Sequence, residues 1–161
     1  GRTEDKNRKG LIYSSLGSDG TGWEMLTCKA YGSRYPADKP LDDPGDIYME
    51  INGRLVYQQA VRRIVENVES CLAYNGYCLD DIDMLISHQM NARIIESAAK
   101  RLRLPEEKTY ININEYGNTS AASVPIAFDE AARNGSIKRG DLIILVAFGA
   151  GLTWGATLLE F

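Results

Sequence analysis

The hydrophobic positions of the chain follow a helical period in three segments. From Leu55 apolar residues recur at three- and four-residue steps, and Asn75-Gly76 form a plausible stop for that helix. A second such stretch carries Ile94 and ends before Pro105. A third follows Asn118 and stops at residues 134–135. These patterns predict three amphipathic helices, each of which buries one face.

Shorter apolar runs lie between the helical segments and predict strands. They cover residues 11–17, 82–87, 110–113, 142–146 and 152–161. The run at 142–146 is continuously apolar, which suits a strand that is buried on both faces of a sheet. The predicted order is β, α, β, α, β, α, β, β, and this alternation indicates a layered α/β fold with a mixed sheet.

Composition narrows the possible functions mainly by exclusion. The chain has 161 residues, of which 44 % are hydrophobic and 25 % charged, and its net charge is -4. These values are typical of one globular domain and argue against a nucleic-acid partner that binds a basic surface. No apolar run reaches the ~18 residues that a membrane span needs. Residues 1–6 are too polar for a secretory signal, so we expect a cytoplasmic protein without a membrane partner.

The cysteines and the histidine are too few for a metal or disulfide framework. Cys28, Cys71 and Cys78 have no regular spacing, and His88 is the only histidine in the chain. A zinc site needs four ligands, commonly in CxxC pairs, so we expect no metal.

Three turns at the ends of predicted strands carry the candidate chemistry. His88 follows the strand 82–87, Asn118 follows Gly117 at a second strand-to-helix turn, and residues 149–151 break the last buried strand. Taken alone, His88 is more simply a packing histidine, and Asn118 is more simply a helix cap. Function in α/β folds concentrates at the carboxyl ends of strands, so the three turns together favour a common site.

Longer motifs surround these turns and point to a family. They are His-Gln-x-Asn-Ala-Arg from residue 88, Tyr-Gly-Asn-Thr-Ser from residue 116 and Phe-Gly-Ala-Gly from residue 148. The set strongly resembles β-ketoacyl-acyl-carrier-protein synthase III, which starts fatty-acid synthesis. The match runs from about Gly10 to Phe161 and covers the C-terminal half of such an enzyme. The resemblance implies a thiolase-like α/β fold. In that fold a mixed five-stranded sheet has helices on both faces and forms one half of a layered αβαβα architecture.

The resemblance also implies catalytic roles. The family uses a Cys-His-Asn site, in which an acylated cysteine is attacked by the carbanion left when malonyl-carrier protein loses CO2. By this comparison His88 and Asn118 are catalytic, because their N–H groups would stabilise the enolate oxygen. The backbone N–H of Ala150 would contribute to the oxyanion hole of the acyl-transfer step.

The partners implied are acyl-carrier protein and acyl-CoA, which is a substrate, so we expect no cofactor. Four residues at or after His88 would bind the acidic carrier, with Arg93 as the principal contact: Gln89, Asn91, Arg93 and Lys100. Gly53 and Phe148 would line the tunnel for CoA and the pantetheine arm.

The nucleophilic cysteine of the family belongs to the N-terminal half, which we expect residues 1–161 to lack. None of the three cysteines here has the setting of that nucleophile, so we expect this C-terminal domain to be inactive alone. It should expose apolar surface where the missing half packs, and the intact enzyme should be a homodimer. Two alternatives remain: a condensing enzyme of secondary metabolism with another acyl primer, and a non-catalytic carrier-binding or dimerisation module that does not need His88.

Overall fold

The structure is a computed structural model that describes residues 10–161. The polar segment 1–6, on which the expectation about a secretory signal rests, lies outside the described residues. Within residues 10–161, no helix combines the length and the apolar composition that a membrane span requires.

The helices and strands of the described residues follow the predicted alternation, with two short strands added before the first helix. Along the chain they are β1 (Gly10–Ser18), β2 (Leu26–Thr27), β3 (Glu50–Ile51), α1 (Gly53–Asn75), β4 (Met84–Ser87), α2 (Ala92–Leu102), β5 (Thr109–Tyr110), α3 (Ile113–Tyr116), α4 (Ser123–Arg133), β6 (Leu142–Gly149) and β7 (Thr153–Glu160).

Five of these strands form one mixed sheet in the order β1-β7-β6-β4-β5. β4 lies between β5 and β6 and runs parallel to both, whereas β6, β7 and β1 pair antiparallel. The short β2 and β3 pair separately. The predicted mixed sheet is therefore confirmed, and the parallel pair β4–β6 brings the ends of two predicted site strands together.

Helices cover both faces of the sheet, as β6 shows most clearly. Ile144 and Val146 belong to the core that contains α1 and α2, whereas Ile143 packs in a second core with α4. All three side chains are at most 2 % exposed. The continuously apolar run therefore marks a strand buried on both faces, because alternate residues of a strand point to opposite sides.

The prediction of a strand over 110–113 was too long. β5 ends at Tyr110, and Ile113 already begins α3. Between them, Asn112 is buried, and its backbone N–H donates to the side-chain Oε1 of Gln89 at 3.0 Å. The side chain of Gln89 thus accepts the hydrogen bond that the backbone of a neighbouring strand would otherwise have accepted from Asn112.

The third predicted helix begins with a tight turn. Residues 120–122 form a 3₁₀ turn, and the α-helix starts at Ser123. Pro125 is therefore in the first turn of α4, where backbone N–H groups have no partner within the helix. Its missing N–H consequently costs the helix no hydrogen bond.

Candidate active site

His88 directly follows β4, at the carboxyl end of this inner strand of the sheet. Its backbone N–H donates to the carbonyl of Val146 at 2.8 Å, which continues the pairing of β4 with β6. The imidazole is half-buried, and its Nδ1 lies 2.5 Å from the hydroxyl oxygen of Ser123. Burial lowers the pKa of His88 below its ordinary value of 6.5, so the ring is neutral at pH 7.

A cavity of about 560 Å³ lies next to this ring. His88, Ser120 and Gly149 all line it, and the rest of its wall comes from β6, β7, Leu16, Ala121 and Val124. No charged side chain of the described residues lines this cavity. The structure thus brings residues from all three predicted turns to one uncharged space. A larger groove of about 720 Å³ over α4 contains neither the histidine nor the turn at Gly149.

Asn118 does not line the cavity itself, but it lies two residues before Ser120, which does. Its side-chain oxygen accepts a hydrogen bond from the backbone N–H of Ser120 at 3.0 Å. This contact fixes which way the amide points, and its NH2 group has no hydrogen-bond partner within residues 10–161. Asn118 is exposed and does not cap α4, whose N-cap residue is Ala122. The side chain is therefore held with its donor group available.

Ala150 occupies the turn between β6 and β7. Its neighbour Gly149 lines the cavity, while Ala150 itself is exposed and does not. The carbonyl of Ala150 accepts a hydrogen bond from the Thr153 hydroxyl at 2.9 Å. Gly151 has a φ of +140°, and a Cβ there would lie 3.1 Å from the Thr153 backbone nitrogen. The turn therefore requires glycine at 151 but accepts alanine at 150.

The C-terminal part of the chain matches the model of a known family. Residues 72–161, more than half of the chain, match the 3-oxoacyl-[acyl-carrier-protein (ACP)] synthase III C-terminal family. The chain belongs to this family. All three motifs identified in the sequence lie inside the matched range, so the resemblance stated from them is confirmed.

Relatives and solved structures agree with this assignment. The chain is 49 % identical over 158 residues to the β-ketoacyl-[acyl-carrier-protein] synthase III of Caldanaerobacter subterraneus subsp. tengcongensis, covering 94 % of this chain and 46 % of that protein. The same-named protein of Rhodopirellula baltica is 44 % identical over 152 residues, with 94 % and 44 % covered. The crystal structure of 3-oxoacyl-[acyl-carrier-protein] synthase III from Aquifex aeolicus is similar with a TM-score of 0.83 at 38 % identity, covering 99 % of this chain and 46 % of that chain.

These comparisons confirm the thiolase-like α/β fold expected for the synthase III family. They also show that the chain spans about half the length of the curated relatives it matches. We expect none of the three cysteines to be the nucleophile of the family, and all three lie in the part of the chain that the structure describes. Within it, Cys71 is buried, Cys28 and Cys78 are exposed, and none of them lines the cavity beside His88.

Gln89 does not belong to a carrier-binding surface, which corrects one expectation drawn from the synthase III resemblance. Its side chain is 1 % exposed. The amide NH2 donates to the carbonyls of Ser87 at 2.8 Å and Tyr110 at 3.2 Å, while its oxygen accepts from Asn112. Gln89 thus joins the ends of β4 and β5 from inside the protein.

The other three residues assigned to the carrier surface are exposed on α2 or at its start. Asn91 is the N-cap of α2, and its side-chain oxygen accepts from the backbone N–H of Arg93 at 3.0 Å. Arg93 and Lys100 are exposed, and within residues 10–161 neither forms an ion pair. They remain candidates for the carrier surface.

The assignment of Gly53 and Phe148 to the CoA tunnel stays a prediction, and the structure places the two residues differently relative to the cavity. Gly53 is the first residue of α1, a Cβ there would meet nothing within 4 Å, and it does not line the cavity. Phe148 borders the cavity, but it is 4 % exposed and belongs to the core with α1 and α2. The alternation of β6 turns its side chain away from the face on which Ala147 is exposed.

The sequence interpretation missed two contributors to the site. Ser123, which contacts His88, lay within the second motif but received no role. Arg63 of α1 places its guanidinium 3.9 Å from the ring centroid of Trp154, a residue that lines the cavity. The helical period marked Arg63 only as a polar position of α1, so no local signal indicated this contact.

Proposed function

We propose that the chain forms the C-terminal half of a β-ketoacyl-acyl-carrier-protein synthase III. The enzyme would join an acyl-CoA to malonyl-carrier protein with loss of CO2, at the start of fatty acid biosynthesis. The observation that carries this proposal is the meeting of His88, the Asn118–Ser120 turn and the Gly149 turn at one uncharged cavity. The names of the similar synthase III proteins support the same activity.

The decarboxylation step explains the need for His88 and Asn118. Loss of CO2 from the malonyl group pushes negative charge onto the thioester oxygen, and this enolate oxygen needs donors that are already in place. The neutral imidazole of His88 would donate through Nε2–H and Asn118 through its NH2. Because no charged side chain of the described residues lines the cavity, the donor of His88 would act in a medium of low polarity, and the exposed Asn118 would share that medium once the other half covers it.

The acyl-transfer step would use the turn between β6 and β7. A cysteine thiolate from the other half of the enzyme would attack the thioester carbon of acyl-CoA, and the CoA thiolate would leave. The backbone N–H of Ala150 would stabilise the oxyanion of that tetrahedral intermediate. The carbanion formed by decarboxylation would then attack the acyl-cysteine, which releases the 3-oxoacyl product and restores the thiolate.

The other half would pack on the face of the sheet that carries α4. Leu16 is 92 % exposed and Ala147 is exposed, although both are apolar and border the cavity. Apolar surface of this kind is stabilised when another surface covers it. Because the nucleophilic cysteine would come from that other half, this chain alone should catalyse no condensation, and the complete enzyme should do so as a homodimer.

The decisive test is the decarboxylation of malonyl-carrier protein by the intact enzyme. His88→Ala or Asn118→Ala should each lower the rate by about 10²–10³, because each removes one donor to the enolate oxygen. Gln58→Leu, on the exposed face of α1, is the control and should leave the rate unchanged. A normal rate in His88→Ala would instead favour a carrier-binding module that performs no catalysis.

The carrier surface is tested by reversing a charge. Arg93→Glu should raise KM for malonyl-carrier protein while leaving turnover of malonyl-CoA, which lacks the carrier, nearly unchanged. Arg133→Glu is the control because Arg133 lies on α4 and already pairs with Asp129 at 2.7 Å. Equal effects of both variants would remove Arg93 from the carrier surface.

Comparing short and long acyl-CoA primers would separate fatty acid synthesis from a role in secondary metabolism.

A further inference from the structure

Ser123 makes the only side-chain hydrogen bond of the imidazole within the described residues. It is the first residue of α4, is 2 % exposed, and lies 35 residues from His88 along the chain. Its hydroxyl oxygen is 2.5 Å from Nδ1 of His88 and 3.1 Å from the backbone nitrogen of Gln89. The start of α4 is thereby joined to the end of β4 at the candidate active site.

The protons of this cluster can be assigned from its chemistry. The backbone N–H of Gln89 can only donate, so it occupies one lone pair of the Ser123 oxygen. The hydroxyl proton then needs an acceptor, and within residues 10–161 the one remaining partner of that oxygen is Nδ1 of His88. A buried hydroxyl that donates to nothing is costly, so the arrangement favours donation from Ser123 to Nδ1.

We propose that Ser123 is a positioning residue that fixes the tautomer and the orientation of His88. Its hydroxyl donates to Nδ1, and the single proton of the neutral ring is therefore held on Nε2. The opposite tautomer would present the lone pair of Nε2, which would repel a developing negative charge. The catalytic consequence rests on the proposed function, whereas the assignment of the proton does not.

No other group of the described residues competes for this role. The cavity wall contains no carboxylate or cationic side chain. The pKa of the His88 ring is lowered by burial. A histidine in many sites is oriented by a carboxylate or a backbone carbonyl. Here the hydroxyl of Ser123 orients the ring instead, and it donates to Nδ1, whereas a carboxylate or carbonyl would accept a proton from that nitrogen.

The test is nitrogen NMR of the intact enzyme labelled with ¹⁵N-histidine, with the His88 signals assigned by their loss in His88→Gln. The wild type should show the proton on Nε2 alone, with an unprotonated Nδ1. Ser123→Ala should give a mixture of tautomers and a higher titration midpoint, because donation to Nδ1 stabilises the neutral ring. Its decarboxylation rate should fall about tenfold, as the loss of one hydrogen bond implies. Ser123→Thr, which keeps the hydroxyl, should restore the tautomer and most of the rate.

Ser97→Ala is the matched control, because it also removes a serine hydroxyl that contacts an aromatic residue. The Ser97 hydroxyl oxygen lies 2.6 Å from the hydroxyl oxygen of Tyr57. It should leave the His88 signals and the rate unchanged. A wild-type proton on Nδ1, or an unchanged tautomer and midpoint in folded Ser123→Ala, would overturn the inference. The wild-type spectrum decides the question even if Ser123→Ala does not fold. If His88→Ala decarboxylates normally while Nε2 carries the proton, the proposed function fails and the assignment of the proton stands.

Discussion

The buried amide of Gln89 gives the sharpest test of how the end of β4 is held. The substitution Gln89→Leu keeps the approximate volume of the side chain and removes both of its polar functions. Three backbone groups then lose a partner: the carbonyls of Ser87 and Tyr110 and the N–H of Asn112.

The expected cost follows from these three contacts. The N–H of Asn112 has no other acceptor within the described residues, and leaving a buried donor unpaired costs about 1–3 kcal/mol. Each of the two carbonyl contacts contributes about 1 kcal/mol. Burying the added apolar surface of leucine recovers about 1 kcal/mol. The free energy of unfolding should therefore fall by about 2–4 kcal/mol.

The assay is urea denaturation of wild type, Gln89→Leu and the control Gln58→Leu, which makes the same change at an exposed position of α1. The control should change the free energy of unfolding by less than about 0.5 kcal/mol. Gln89→Glu should be at least as destabilising as Gln89→Leu at pH 7, because it turns a carboxylate oxygen toward two carbonyl oxygens. If Gln89→Leu instead unfolds like the wild type and only weakens carrier binding, the side chain faces the carrier and does not join β4 to β5.

Two further predictions concern the ring of His88 and the wall of the cavity. Because burial lowers the pKa of His88 below 6.5, its contribution to stability should be complete above about pH 6.5 and lost as the pH falls through the lowered value. Urea midpoints between pH 5 and 7 should therefore fall more steeply in wild type than in His88→Gln, and parallel curves would contradict this. Gly17→Ala should cost about 1–3 kcal/mol, because its Cβ would overlap the indole ring of Trp154, which is covered by Arg63. Gly32→Ala, where a Cβ meets nothing within 4 Å, should be near neutral in the same urea series, and an equal loss in both variants would exclude the clash.

The elements of this fold were largely predictable because they depend on local periodicity. The helical steps that begin near Leu55 predicted α1, and the unbroken apolar run at 142–146 predicted a strand buried on both faces. The exception was β5, where the expected strand stops at Tyr110 and the N–H of Asn112 donates to the side chain of Gln89. That contact joins residues 23 positions apart, so no local pattern contains it.

The succession of strands and helices, the family motifs and the three turns could all be read from local patterns along the chain. What the individual side chains of those motifs contact became known only from the folded arrangement. Gln89 and Arg93 stand in one motif, yet one is enclosed between β4 and β5 and the other is exposed on α2. Ser123 acquires its role only because α4 begins beside the end of β4. The period of the apolar residues in a segment predicts which face of that helix or strand is buried. The hydrogen-bond partner of a polar group depends instead on which distant residues the fold brings next to it.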